Sequence, residues 1–177
     1  MRRLLVTLLC ALVVVPTAFA ATRAAGDGVL ELRAVSGTVA IGKEGQPARG
    51  ILWGQLYKGR LVVVDPIAGD GQAFVSGWDK RTVLSSADDG TPTVIAYTGT
   101  DIHFRITGGK YRISFTGSGM DLTAIGVGVA YLAGDPLATD AGDYALDSKK
   151  WIPVPVFIVP PQKSLAVPFG TQPTQTP

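Results

Sequence analysis

Apolar and polar residues alternate over short stretches along most of the chain, and clusters of Gly, Pro and Asp separate these stretches. Alternation with a period of two is typical of strands with one buried face, and no stretch of ten residues shows convincing helical periodicity. About ten short strands at this spacing predict an all-β fold, as a single antiparallel β-sandwich or barrel. No helix longer than a short turn is expected, and Asp121–Ile125 is the one place that suits such a turn, with Asp121 as its cap.

The clearest pattern lies around Gly108-Gly109, where both flanking runs alternate. Two glycines suit a tight two-residue turn, because both central positions need positive φ. The predicted hairpin has one apolar face, and we expect its six residues to be buried together. These are Ile102, Phe104, Ile106, Tyr111, Ile113 and Phe115.

The polar face of this predicted hairpin places Arg105 directly opposite Arg112, with His103 and Lys110 as near neighbours. Like charges directly opposite each other disfavour strand pairing. Either solvent or a neighbouring acidic residue relieves the repulsion, or the two guanidinium groups meet a carboxylate, phosphate or sulfate. Arg105, Arg112, His103 and Lys110 therefore form the candidate anion- or ligand-binding face.

A different pattern marks the N-terminus, where Met1-Arg2-Arg3 precedes an almost unbroken apolar run from Leu4 to Val15. The small residues of Ala18-Phe19-Ala20 follow, as in a secretory signal peptide cut after Ala20. The run is too short to span a membrane. We therefore predict a secreted or extracytoplasmic protein with a signal peptide at 1–20, a flexible lead at 21–26, an all-β domain at 27–159 and a disordered Pro/Thr/Gln-rich tail at 160–177.

Loss of the signal peptide changes the charge balance. The chain has 16 Lys and Arg against 14 Asp and Glu, and removal of Arg2 and Arg3 equalises the two. Nucleic-acid binding normally needs an excess of clustered basic residues, so we expect no nucleic-acid partner. The single cysteine, Cys10, lies in the apolar run, so no disulfide is expected.

Catalytic chemistry has one candidate general base, since His103 is the only histidine. The predicted hairpin makes Ser114 its cross-strand neighbour, and Asp101 lies two residues away. However, the chain lacks a Gly-x-Ser-x-Gly elbow, and adjacent positions on a flat strand face do not form an oxyanion hole. We predict no catalytic residue and no cofactor, and the alternative is a hydrolase of envelope polymers that uses His103 and nearby Asp residues.

Two further sets of residues have a structural and a functional interpretation. Asp135, Asp140, Asp143 and Asp147 suit turns, because Asp binds nearby backbone N–H groups, but an oxygen-rich loop can also bind calcium. The tryptophans Trp53, Trp78 and Trp151 are either core residues or platforms on which a sugar ring stacks.

Two longer runs, residues 106–112 (ITGGKYR) and 117–132 (GSGMDLTAIGVGVAYL), together with GDYAL at 142–146, resemble a pattern in exported β-rich proteins of high-GC Gram-positive bacteria. That group has no assigned activity. The resemblance implies one small β-domain and no particular functional residue. The sequence as a whole predicts an exported, non-enzymatic β-module that binds an envelope or extracellular component.

Overall fold

The computed structural model describes residues 24–65, 67, 69–157 and 164–171. The predicted signal peptide, residues 21–23 of the lead, and residues 160–163 and 172–177 of the predicted tail lie outside this part. The described residues contain eight strands and no helix. The strands are β1 (Gly28–Ile41), β2 (Ala48–Val64), β3 (Ala73–Ser76), β4 (Lys80–Ser86), β5 (Pro92–Gly134), β6 (Asp143–Leu146), β7 (Ile152–Pro153) and β8 (Leu165–Phe169).

All eight strands belong to one sheet, and the all-β prediction is confirmed. The pairing is antiparallel, because residue numbers rise along one strand as they fall along its partner. Leu30 of β1 lies opposite Ala124 of β5, and Leu32 lies opposite Leu122. Within the described residues the sheet does not close into a barrel.

Strand β5 winds around the molecule instead of running straight. Most residues of β2 have partners on both edges, and these partners all belong to β5: Leu61 lies between Tyr97 and Phe115, which are 18 positions apart. Residues 37–41 of β1 are enclosed in the same way. Since β5 is one strand of 43 residues, it must coil past β2 and then past β1. We call residues 92–107, 110–126 and 128–134 its first, second and third passes.

Glycines mark the corners of this coil. Within β5 they recur every nine residues, at Gly99, Gly108, Gly117 and Gly126. They also align across strands, and the longest such row, here named the glycine row, consists of Gly99, Gly59, Gly117, Gly37 and Gly134. Nine is odd and strand alternation has a period of two, so the buried positions must shift by one at each corner. They are even-numbered in 102–106, odd in 111–115 and even in 120–124.

A side chain at Gly59 or Gly117 would have no room. These residues lie opposite each other on β2 and β5. A Cβ on Gly59 would overlap the carbonyl oxygen of Thr116, and one on Gly117 would overlap that of Lys58. Both also have φ near 150°, which L side chains rarely adopt. The close approach of the two backbones therefore requires glycine on each strand.

The corners divide the coil into two layers that pack face to face. The front layer contains residues 28–36, 51–58, 100–107 and 118–125 with β3, β6 and β7, and the back layer contains residues 38–41, 60–64, 93–98, 110–116 and 128–133 with β4 and β8. The rings of Phe104 in the front layer and Phe115 in the back layer meet with centroids 4.8 Å apart. Side chains from both layers form one hydrophobic core.

The predicted hairpin at Gly108-Gly109 is wrong, although its six apolar residues are all buried as expected. Residues 103–106 already have β2 on one edge and β3 on the other, so no edge remains for residues 112–115. The two glycines form a corner of the coil, where the N–H of Thr107 donates to the carbonyl of Gln72. A corner and a hairpin both leave the same six side chains pointing into the core, so the alternation of apolar residues could not distinguish them.

Two further predictions about single elements need correction, and one strand was not predicted. Asp121–Ile125 is not a helical turn but part of β5, with Leu122 and Ala124 buried. Within the predicted disordered tail, Leu165–Phe169 forms β8, because Val167 and Phe169 are buried against the third pass. Strand β4 was not expected, since all seven of its residues are exposed and their polarity indicates no buried face.

Candidate ligand-binding groove

The outward face of the front layer contains an open groove of about 780 Å³. Its residues come from strands that are distant in sequence but adjacent in the coil. Core residues Leu32, Phe104 and Leu122 lie beneath it, and their sequence neighbours therefore point outward. Two lines of opposed residues cross the groove: Arg105, Trp53, Thr123 and Glu31 form one, and His103, Gln55 and Asp121 form the other.

Trp53 occupies the middle of the first line, directly opposite Arg105 on one side and Thr123 on the other. The residue is 39% exposed. An indole is a large apolar surface that proteins usually bury, and its polar N–H also needs a partner. A partly exposed tryptophan among polar side chains is therefore the residue of this groove best suited to contact a ligand.

Asp121 organises the second line. Its Oδ1 accepts a hydrogen bond from the N–H of Ala34 at 2.9 Å, and its Oδ2 accepts one from Nε2 of Gln55 at 3.1 Å. Ala34 has a φ of 52°, which is rare for a residue with a side chain. The carboxylate therefore stabilises an irregular point of β1 and at the same time orients the Gln55 amide beside Trp53.

One side of the groove is closed by Trp151, which lies just before β7. Arg33 holds it there: its guanidinium carbon is 4.5 Å from the centre of the Trp151 ring. Nη2 of the same guanidinium lies 2.6 Å from Oδ2 of Asp143, the residue opposite Arg33 on β6. Arg33 thus has both an aromatic and an acidic partner within the protein. Its guanidinium therefore holds Trp151 at the side of the groove.

Arg105 differs from Arg33, although both line the same groove. Arg105 is exposed, and within the described residues no carboxylate lies within 4 Å of its guanidinium. Glu31, at the opposite end of the first line, likewise has no basic partner in the described chain. Among the described residues, the groove therefore has a positive charge without an acidic partner on one side of Trp53 and a negative charge without a basic partner on the other.

His103 lies at the edge of the groove, with its Nε2 3.2 Å from Oδ1 of Asp101, and both side chains are mostly exposed. Of the two predicted neighbours of His103, Asp101 is in contact with it, but the prediction of Ser114 as its cross-strand neighbour is wrong. Ser114 lies in the back layer, opposite Val62, whereas His103 lies opposite Gln55 and Ser76. In the part of the chain that the structure describes, no hydroxyl is hydrogen-bonded to this imidazole.

The predicted anion-binding face is divided by the coil. Arg105 and His103 line the groove, but Arg112 lies opposite Val64 in the back layer. Lys110 is the first residue of the back layer after the Gly108-Gly109 corner, and its N–H donates to Oδ2 of Asp70 at 2.9 Å. The prediction that Arg105 faces Arg112 is therefore wrong, and the repulsion that motivated it does not arise.

The four aspartates of the candidate calcium loop have separate partners. Asp135 and Asp140 accept hydrogen bonds from backbone N–H groups two residues ahead, as in Asx turns. Asp143 pairs with Arg33, and Asp147 accepts from the N–H of Val29. Across the described ranges, no three His, Cys, Asp or Glu side chains gather as a metal site.

A second tryptophan gives a contrast with Trp53. Trp78 is 41% exposed but lies outside the groove, where its Nε1 donates to the carbonyl of Val75 and its ring packs 6.2 Å from Tyr97. Sequence reasoning named Trp53, Arg105 and His103 but missed Gln55, Asp121 and Glu31. The available signal was Trp53 itself, an aromatic residue at an outward position between buried Leu52 and Leu56.

A smaller cleft of about 490 Å³ runs along the glycine row. Gly37, Gly59, Gly117 and Gly134 line it together with short or polar residues, and no aromatic side chain contributes. We call it the glycine cleft. This cleft exists because the glycines have no side chains to fill it, whereas the groove is lined by large side chains.

Comparison of the chain with protein-family models, with curated proteins and with solved structures finds no match. Among the residues that the structure describes, no helix has the length and apolar character needed to cross a membrane. The groove itself therefore provides the evidence about function.

Proposed function

We propose that this protein is an exported, non-enzymatic binding module that recognises a component of the cell envelope or the extracellular medium through the groove. The observation that carries the proposal is Trp53, a partly exposed indole between Arg105 and Thr123 with the Gln55 amide beside it. Ligand sites combine apolar and aromatic surface with a few oriented polar groups, and the groove has this composition.

The two tryptophans of similar exposure provide a matched test. We expect Trp53→Ala to lower binding to isolated envelope fractions at least tenfold in a co-sedimentation assay, because a central aromatic anchor is lost. Trp78→Ala removes an equally exposed indole outside the groove and should leave binding unchanged. Equal loss in both variants, or no binding by the unmodified protein, would contradict the proposal.

Export forms part of the same proposal and rests on the pattern of residues 1–20. The protein secreted into culture medium should begin at Ala21 or within a few residues of it. Mass spectrometry of the N-terminal peptide tests this. A secreted form that retains Met1 or carries lipid on Cys10 would contradict it.

The contact between His103 and Asp101 favours a second candidate, a hydrolase of envelope polymers in which the imidazole acts as an acid or base. In that case the protein should release soluble fragments from envelope preparations, and His103→Ala should abolish the release. We prefer the binding module because the interactions in the groove orient Gln55, Trp151 and Arg33, whereas His103 and Asp101 are largely surrounded by solvent.

A further inference from the structure

We infer that the ligand of the groove is a polysaccharide whose sugar units carry carboxylates, with a pyranose ring on Trp53 and its carboxylate on Arg105. This inference rests on the proposed function and adds the chemical class of the ligand. It depends on three observations: the exposed indole of Trp53, the guanidinium of Arg105 beside it, and the carboxylate of Glu31 beyond it, neither charge having a partner in the part of the chain that the structure describes.

The indole of Trp53 selects for a flat ligand with C–H groups on its face. An aromatic ring has a negative face because of its quadrupole, and polarised C–H groups are attracted to it. One face of a pyranose presents such groups, while its hydroxyls point sideways. Around Trp53, Thr123 on one side and Gln55 along the strand offer hydrogen-bonding groups at the level of such hydroxyls.

Arg105 supplies the charge selectivity. It lies directly opposite Trp53 on the neighbouring strand, and Cβ atoms of directly opposed residues are about 4.5–5.5 Å apart. Its planar guanidinium matches a carboxylate through two parallel hydrogen bonds. Arg33, the other arginine of the groove, already binds Asp143 and covers Trp151, so Arg105 is the guanidinium left to meet a ligand.

Glu31 gives the ligand its orientation. Trp53 and Thr123 separate it from Arg105, which at about 4.8 Å per strand places the two backbones roughly 14 Å apart. A ligand carboxylate would be repelled at the Glu31 end and attracted at the Arg105 end. A polyglycerol phosphate backbone has no pyranose ring to place on Trp53, so a carboxylate-bearing sugar fits the groove better.

The test compares polymers that differ only in charge. We use polygalacturonate and hyaluronan, each beside its carboxyl-reduced form, and measure affinity by isothermal titration calorimetry. The unmodified protein should bind at least one acidic polymer tenfold or more tightly than the matching reduced form, as expected for one charge-assisted pair. Arg105→Gln should remove this preference, Arg105→Lys should keep part of it, and Arg81→Gln, an exposed arginine of β4 outside the groove, should keep all of it.

The outcomes separate this inference from the proposed function. Equal binding of acidic and reduced polymers that is lost in Trp53→Ala would overturn the carboxylate inference and support the binding module. A preference that survives in Arg105→Gln, tighter binding of polyglycerol phosphate than of either uronate, or no binding of either acidic polymer would also overturn the inference. Binding to envelope fractions, assayed separately with Trp53→Ala, decides the proposed function.

Discussion

The groove and the glycine cleft lie on the same coiled sheet but differ in what lines them. In the cleft, Gly59 and Gly117 have no side chains because the backbones of β2 and β5 touch there. In the groove, Trp53 and Arg105 are exposed and do not belong to the buried core. The cleft is thus a consequence of folding, whereas the groove contains side chains that the fold does not need. Substitutions in the two regions should therefore have opposite effects.

The largest effect on stability is expected at the glycine cleft. Gly117→Ala places a Cβ against the carbonyl of Lys58, so both strands must move, and we expect a loss of about 4 kcal/mol or more. Gly108→Ala is the matched control, since it lies at the same nine-residue spacing but its Cβ would have no atom within 4 Å. It should cost only the backbone strain of about 1–3 kcal/mol. Equal losses in urea unfolding would refute backbone contact as the cause.

Beneath the groove, Phe104→Ala should lower the free energy of unfolding by about 3–5 kcal/mol, because it leaves a cavity opposite Phe115. Binding per folded molecule should change much less than in Trp53→Ala, since Phe104 is almost fully buried. Denaturant unfolding and calorimetry on the same preparation measure both. A near-neutral change in stability would mean that the two layers do not pack through this ring.

Trp53→Ala should reduce binding strongly and stability little, the reverse of Phe104→Ala. The side chain is partly exposed, and we expect its loss to change stability by about 1 kcal/mol or less while binding falls at least tenfold. Thermal melting and co-sedimentation provide the two measurements. A loss of stability as large as that of Phe104→Ala would show that the indole is a core element, and the contrast between groove and cleft would then fail.

The smallest effect concerns Tyr111, whose buried hydroxyl has no hydrogen-bond partner in the described part of the protein. Tyr111→Phe removes that unsatisfied group, and we expect a gain of up to about 1 kcal/mol. Burial also raises the pKa of the Tyr111 phenol above 10.0. The folded chain then keeps its proton where the unfolded chain loses it, so this contribution to stability is complete below pH 10 and declines above it.

Unfolding of Tyr111→Phe and the unmodified protein should therefore be compared at pH 8 and pH 10.5. The gain from the substitution should be larger at pH 10.5. A gain that does not change with pH would place the hydroxyl in contact with water, and a gain that shrinks with rising pH would place it beside a positive charge.

The sequence predicted the composition of the core better than its connections. Alternation alone placed Ile102, Phe104 and Phe115 inside, and they are buried. It could not distinguish a hairpin from a corner of a coil, because both keep those side chains inside. The nine-residue spacing of the glycines was visible, but its meaning depends on β2 lying between two passes of one strand, which no local pattern shows.

The site was predictable only in part for a similar reason. Trp53, Arg105 and His103 stand out by residue type, but Gln55, Asp121 and Glu31 are ordinary polar residues. They become notable because the coil brings β1, β2 and two passes of β5 side by side. The error about Arg105 and Arg112 has the same origin. The predicted hairpin made them neighbours, but the coil places them in opposite layers.

The coiled course of β5 also determines when this protein can fold. Among the described strands, none of β1 to β4 pairs with another of these four, and each takes a partner in β5. As the chain is synthesised, its first four strands have no edge to join until residues 92–134 emerge. Contacts between residues so distant in sequence form slowly, because the chain must lose the entropy of loop closure before strand pairing stabilises it. The chain thus stays without its sheet until most of it is available, which is the condition in which a polypeptide passes most easily through a narrow pore.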